Sequence, residues 1–150
     1  MPNMEWSKLS SMQLGRYAEY YAKMEFASYG FDVYTSEVDD HGVDFVARNP
    51  INNIYYEVQV KALRNTGYVF MKKKDMLITD NRLICLLLFT NDNLPAVYVI
   101  PATAWQVPEK PLVSHDYDEP EWGINLSNRN IPLLEKYRVA NYFHKALSNM

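Results

Sequence analysis

The residues best suited to chemistry in this chain are Asp44 and, thirteen positions later, the run Glu57-Val58-Gln59-Val60-Lys61. Successive side chains of an extended strand alternate between faces, so Glu57, Gln59 and Lys61 share one surface while Val58 and Val60 occupy the other. A row of acid, amide and amine is either the solvated face of a half-exposed strand or one wall of a site. As a wall it carries the donors of a hard divalent cation. Mg²⁺ takes oxygen ligands, retains several waters, and is held by one or two protein carboxylates together with phosphate oxygens. Asp44 and Glu57 supply the carboxylates, and Gln59 adds a carbonyl oxygen for the same metal or its water. The Lys61 ammonium can stabilise charge developing on an attacked phosphate, or orient or deprotonate the attacking water. With a metal to polarise the phosphoryl oxygen and activate water, these are the parts of a phosphodiester hydrolase.

The surrounding elements must bring the parts together. Ser10 with Gln13 three residues on resembles a capping box, and Leu14, Ala18, Tyr21 and Ala22 recur at helical spacing up to Gly30. A helix from about Ser11 to Tyr29 follows. Phe31 to Thr35 has strand-type residues, and Asp40-His41-Gly42 reads as a turn into a second strand, Val43 to Ala47. After a turn at Asn49 to Asn53, a long strand from Ile54 to Ala62 completes a three-strand meander. Pairing of the second and third strands across that turn lets Asp44 and Glu57 approach one another.

Farther on, Lys72 to Ile78 predicts a short helix, and the continuous apolar run Leu83 to Phe89 predicts a central strand covered on both faces. Asn91-Asp92-Asn93 is a turn before a strand at Ala96 to Ile100, and Pro101 to Trp105 is a helical turn begun by proline. The Pro, Asp and Glu content of Gln106 to Pro120 predicts a loop, and Glu121 to Leu126 an edge strand. Ile131 to Leu147, entered through Asn130 and Pro132, has the spacing of a packing helix. The fold class is therefore α/β, a sandwich around a mixed sheet. At 150 residues, 48% hydrophobic and 22% charged, the chain suits one domain over 1–150, with a core at about 11–105 and a C-terminal extension at about 106–150.

Order and spacing together resemble the PD-(D/E)XK nuclease superfamily, whose restriction endonuclease-like core runs α-β-β-β-α-β. The resemblance covers roughly Leu14 to Phe89. Gly42-Val43-Asp44 is similar to the family's second motif, and Gln59-Val60-Lys61, with Glu57 just upstream, to its strand motif. It is closest to the branch with Gln-x-Lys in place of Asp/Glu-x-Lys, seen in Mrr-type restriction endonucleases, with archaeal Holliday junction resolvases as more distant relatives. Glu19, within Leu14-Gly15-Arg16-Tyr17-Ala18-Glu19, looks like the glutamate many members carry on the first helix. The resemblance implies a metal-dependent endodeoxyribonuclease. Asp44, Glu57 and Gln59 would hold Mg²⁺ or Mn²⁺, Lys61 would stand at the scissile phosphate, and Glu19 would be an auxiliary acid and ligand. It also implies nucleic acid, DNA foremost, as partner, and leaves a homodimer open, since many such nucleases cut both strands as dimers. The departure is Gln59, since an amide is a weaker ligand than a carboxylate and carries no charge. A two-residue displacement along the strand moves the Glu57 head by about 6–7 Å from that position. The rival reading is an inactive module on the same fold that binds nucleic acid or a protein partner, favoured by Gln59 and by the net charge of -3.

That charge argues against holding nucleic acid by bulk electrostatics and leaves room for a local basic patch. Arg64, Lys72, Lys73 and Lys74 follow the strand motif and are candidates for a phosphate groove, or else a solvated face. Exposed members of the 12 Tyr and 3 Trp residues are candidates for stacking on bases. Asp39, Asp40 and His41 form a polar turn near the motif, and the acidic run Asp116, Asp118, Glu119 and Glu121 reads as solvated surface. Cys85 is alone within an apolar run, which excludes an internal disulfide and a cysteine-based zinc site. With no basic-then-apolar start and no apolar run long enough to span a bilayer, the expectation is a soluble cytoplasmic protein without membrane association.

Overall fold

In a computed structural model the chain is described over residues 1–37 and 41–148, with side chains through His144. Asp39 and Asp40 of the polar turn lie outside the described residues. After a short 3-10 turn at Trp6–Lys8, helix α1 spans Ser11–Ser28. Its start is the predicted capping box. The Ser10 hydroxyl accepts the Gln13 backbone N–H at 3.1 Å, and the Gln13 side chain accepts the Ser10 N–H at 2.8 Å. Leu14, Ala18, Ala22 and Phe26 bury one stripe of the helix, and the chain turns at Gly30 with φ +90°. Ser10→Ala is expected to lower stability by about 1 kcal/mol in a denaturant melt, and Ser10→Gly to stay closer to the parent.

Strands β1 (Asp32–Thr35), β2 (Phe45–Asn49) and β3 (Ile54–Arg64) form the antiparallel meander, with Phe45 opposite Val58 and Asn49 opposite Ile54. Strand β5 (Arg82–Phe89) then runs parallel to β3, and β6 (Ala96–Pro101) antiparallel to β5. The resulting five-stranded sheet has the order β1-β2-β3-β5-β6, which places the apolar β5 inside it with every residue buried. Its side chains alternate between two cores. Leu83, Cys85, Leu87 and Phe89 join α1 on one face, and Ile84, Leu86 and Leu88 join the layer on the other. Burial pushes the Cys85 thiol well above its ordinary value, as befits a small core residue and not a nucleophile.

The opposite layer corrects three sequence expectations. The segment at Lys72 to Ile78 is no helix: strand β4 covers Gly67–Lys72 and a tight turn follows, with Asp75 N–H donating to the Lys72 carbonyl at 2.9 Å. The period-two burial of Tyr68 to Met71, with Val69 and Met71 inside, is satisfied only by pairing with β8 (Glu121–Leu126). Strand β8 is the middle of a three-stranded sheet β4-β8-β7 and not an edge, because β7 (Leu112–His115) forms inside the stretch expected to be a loop. The C-terminal helix is divided: a 3-10 helix at Ile131–Tyr137 ends at Arg138, whose extended backbone (φ -51°, ψ 137°) bridges to Tyr98, and α2 follows at Val139–Ser148. Phe143 of α2 packs on Phe26 and Phe31 at ring separations of 5.0 Å, so α1 and α2 cover the same face of the large sheet. The fold class is otherwise as expected, a mixed sheet between helices and a second layer. Among the described residues no helix is long and apolar enough to cross a membrane.

Candidate functional site

The site forms where β2 leaves β3. The Asp44 N–H still donates to the Val58 carbonyl at 2.8 Å, but the next ladder donor, the Val60 N–H, is taken by the Asp44 side chain, with Oδ2 at 2.7 Å. A carboxylate thus stands in for the missing strand. This anchors the Asp44 head against β3 and opens a gap beside it. Gly42 permits the departure with φ +72°, and a Cβ there would lie 3.1 Å from the Gln59 carboxamide, so the glycine and the amide pack directly together.

The gap is a cleft of about 530 Å³ lined by Gly15 and Glu19 of α1, His41, Gly42 and Asp44 before β2, Gln59, Val60 and Lys61 of β3, and Asp75 after β4. An acid from the helix, an acid from the meander and the Gln-x-Lys pair therefore share one wall system. Glu19 faces it 28% exposed and pairs with Arg16 at 3.5 Å, one helical turn away. A Cβ on Gly15 would meet no protein atom within 4 Å, so this glycine faces open space instead of accommodating a neighbouring element of the chain. The Gln59 Oε1 atom is buried and has no hydrogen-bond partner among the described residues. An unsatisfied buried carbonyl oxygen is costly and calls for a donor or a cation.

Glu57 is placed differently. It lies on the same face of β3 but opposite Val46 and Arg82, one strand repeat away, and does not line the cleft. Among the described residues no three His, Cys, Asp or Glu side chains converge as a metal cage. The oxygen set at the cleft is instead mixed: the Asp44 carboxylate, the Gln59 carbonyl, and the acids of Glu19 and Asp75 around them.

A second opening of about 430 Å³ continues from the first, sharing Gln59, Lys61 and Asp75 and extending past Tyr68, Phe70 and Lys72 along the edge strand β4. Of the basic candidates, Lys61 and Lys72 line this groove. Arg64 is directed elsewhere, its Nη1 donating to the carbonyls of Trp6 and Leu9 at 2.8 Å each and tying the N-terminal turn to the end of β3. Lys73 lies over the Trp122 ring at 4.1 Å and bonds Ser114 and Asp116, while Lys74 pairs with Glu119 at 3.1 Å. The acidic run is therefore partly a counter-charge to the lysines, and not solvated surface alone.

Two residues of the site escaped the sequence reading. Asp75 sits in the turn mistaken for a helix. Arg82, only 6% exposed, donates from Nη1 to the Asp75 carbonyl at 3.1 Å and from Nη1 and Nη2 to the His41 carbonyl at 3.3 Å. It clamps the loop that carries Asp44 to the turn that carries Asp75. The available signal was a guanidinium at the head of a strand otherwise wholly apolar, a position that demands buried acceptors.

No family model and no curated protein matches the chain. Solved structures do. Archaeoglobus fulgidus Hjc, a Holliday junction resolvase from an archaeal hyperthermophile, superposes with a TM-score of 0.57 at 16% identity, covering 87% of this chain and 95% of that one. The bacterial homing endonuclease I-Ssp6803I superposes with a TM-score of 0.55 at 20% identity, covering 93% of each. At such identities the likeness is one of architecture: the chain shares the fold of these two structures, the restriction endonuclease-like fold.

Proposed function

We propose that the chain is a metal-dependent nuclease that hydrolyses DNA phosphodiester bonds at the cleft between α1, β3 and the Asp75 turn. The observation that carries the reading is the shared cleft of Glu19, Asp44, Gln59 and Lys61 on a nuclease fold, with the buried Gln59 Oε1 lacking any described partner. The donor set fits a hard divalent cation such as Mg²⁺ or Mn²⁺, which accepts carboxylate and amide oxygens and completes its shell with water. Asp44 and Gln59 would hold it, with Glu19 reaching its waters; a bound cation supplies Lewis-acid polarisation of the phosphate and an activated water. Asp44 Oδ2 keeps β3 in register while its carboxylate supplies negative charge. Gly42 keeps the Gln59 amide in place. The Lys61 ammonium, at the junction of cleft and groove, neutralises charge on the scissile phosphate and orients the incoming water. Glu57 has no direct role in this reading, being outside the cleft.

A second reading, a binding module without catalysis, is favoured by the absence of a three-acid cage among the described residues. Supercoiled plasmid and branched DNA incubated with Mg²⁺ or Mn²⁺ separate the two. Nicking that falls at least about 100-fold in Lys61→Ala supports the nuclease. Nicking unchanged by that substitution assigns the activity to a contaminant and removes the proposal. No nicking, together with a melt that saturating Mn²⁺ leaves unmoved, supports the binding module.

A further inference from the structure

The groove that leaves the cleft past Lys72 opens onto an aromatic surface for which the hydrolytic site has no use. On the outer face of the small sheet, Tyr68 and Phe70 lie nearly parallel (6.1 Å, 17°), Tyr68 neighbours His115 at 6.2 Å, and His115 stacks on Tyr117 (4.7 Å, 13°). Tyr68 is 39% exposed, Phe70 43% and Tyr117 60%. Gly123 makes the arrangement possible: a Cβ there would fall 2.0 Å from the Tyr68 hydroxyl oxygen, so Tyr68 lies flat across β8 only because that strand has no side chain at this point. The Tyr68 hydroxyl donates to the Glu121 carboxylate, which fixes the ring's tilt. Large rings held rigid and left facing water lose little entropy when a flat partner stacks on them.

The charges beside the rings indicate the partner's chemistry. Lys72 lines the groove next to Phe70 and makes no ion pair among the described residues. Of the neighbouring acids, Asp116 is paired with Lys73 and Glu119 with Lys74, while Glu121 keeps its charge and accepts the Tyr68 hydroxyl. A ligand with a negative backbone and flat apolar faces at short intervals matches a cation beside a row of rings.

We propose that Phe70, Tyr68, His115 and Tyr117 form a stacking platform for the unpaired bases of a nucleic-acid strand whose phosphates pass Lys72 toward Lys61. The proposal rests on the reading of the cleft as a phosphodiester site and narrows its substrate to DNA that is single-stranded on one side of the scissile bond. Base stacking on aromatic side chains is tolerant of sequence, so the platform selects for strandedness and not for a particular sequence.

The test is fluorescence anisotropy of the full chain in EDTA, where no cleavage occurs, with labelled oligo-dT and a hairpin duplex of equal length. Tighter binding of oligo-dT is expected, weakened about 5- to 150-fold in Phe70→Ala, the ratio equivalent to 1–3 kcal/mol per stacked base. Tyr117→Ala should act in the same direction. Both side chains are exposed, and a thermal melt near the parent's confirms that each variant is folded. Equal affinity for the two DNAs, or oligo-dT binding that neither substitution changes, overturns the platform, even if plasmid nicking succeeds and the cleft reading stands. Strand binding that depends on Phe70 supports the platform even if nicking fails, in which case the cleft reading alone is lost. Light scattering that shows a dimer abolished by Phe70→Ala, without preference for the single strand, assigns the face to a second copy of the chain and overturns the proposal.

Discussion

Asp44→Asn is expected to leave the metal-free protein folded while removing both metal-dependent cleavage and stabilisation by Mn²⁺. This side chain has two tasks, and the substitution separates them. Its Oδ2 atom accepts the Val60 N–H at 2.7 Å and so completes the β2–β3 ladder where the strands part. Asparagine retains a carbonyl oxygen at the same place and keeps that bond as a neutral one, at a cost of about 1 kcal/mol. Alanine leaves the Val60 N–H without an acceptor, at about 1–3 kcal/mol. The metal-free denaturant melts should therefore rank parent, Asp44→Asn, Asp44→Ala. The charge, by contrast, has no substitute in the asparagine variant. With Gln59 already neutral, the cleft loses the carboxylate that is held against β3. Saturating Mn²⁺ at 100 times its dissociation constant should stabilise the parent by about 2.7 kcal/mol and the variant by almost nothing. An Asp44→Asn protein that Mn²⁺ stabilises as much as the parent would show that the cation binds elsewhere.

The second large effect belongs to Arg82. Its guanidinium donates to the His41 and Asp75 carbonyls from a position only 6% exposed. Arg82→Met fills much of the volume with an apolar chain and removes the donor from the two part-buried carbonyls, so a loss of about 1–3 kcal/mol is expected in denaturant melts. Arg82→Lys keeps a charged donor but cannot span both acceptors with one planar fork, so partial recovery is expected. The same clamp sets the distance between the Asp44 loop and the Asp75 turn. Mn²⁺ affinity should therefore fall in Arg82→Lys even at temperatures where that variant is fully folded. Isothermal titration on the folded fraction measures it. Parent-like Mn²⁺ affinity in Arg82→Lys would confine the residue to stability alone.

Much of this organisation is legible in the sequence alone. Helix α1 declares itself through local signals, the Ser10 box and the Leu14, Ala18, Ala22 spacing, which need no distant partner. The meander is legible because its strand-type runs are bounded by turn residues, among them Gly42 (φ 72°) and Asn53 (φ 61°). Strand alternation placed Gln59 and Lys61 on one face, and both line the cleft. The same alternation put Glu57 on that face too, yet a shared face is not a shared position along the strand, and Glu57 falls one repeat short. Arg64 shows the converse: basic charge near a motif does not say where the guanidinium points, and here it points at the Trp6 and Leu9 carbonyls.

By itself the sequence determined the α/β class, the first helix, the meander, the buried strand Arg82–Phe89, and the common face of Gln59 and Lys61. These depend on periodicities of 3.6 and 2 and on the turn residues between the runs, all of which are local. Only the tertiary structure decided that Gly67–Lys72 is a strand, because its partner β8 begins at Glu121 and the pairing pattern is invisible at that separation. That pairing in turn delivers Asp75 to the cleft, turns the Tyr68 and Phe70 rings outward, and gives Arg82 its two carbonyls to bind. Hydrogen bonds and burial between segments so far apart are set when the layers pack, and no pattern within one segment encodes them.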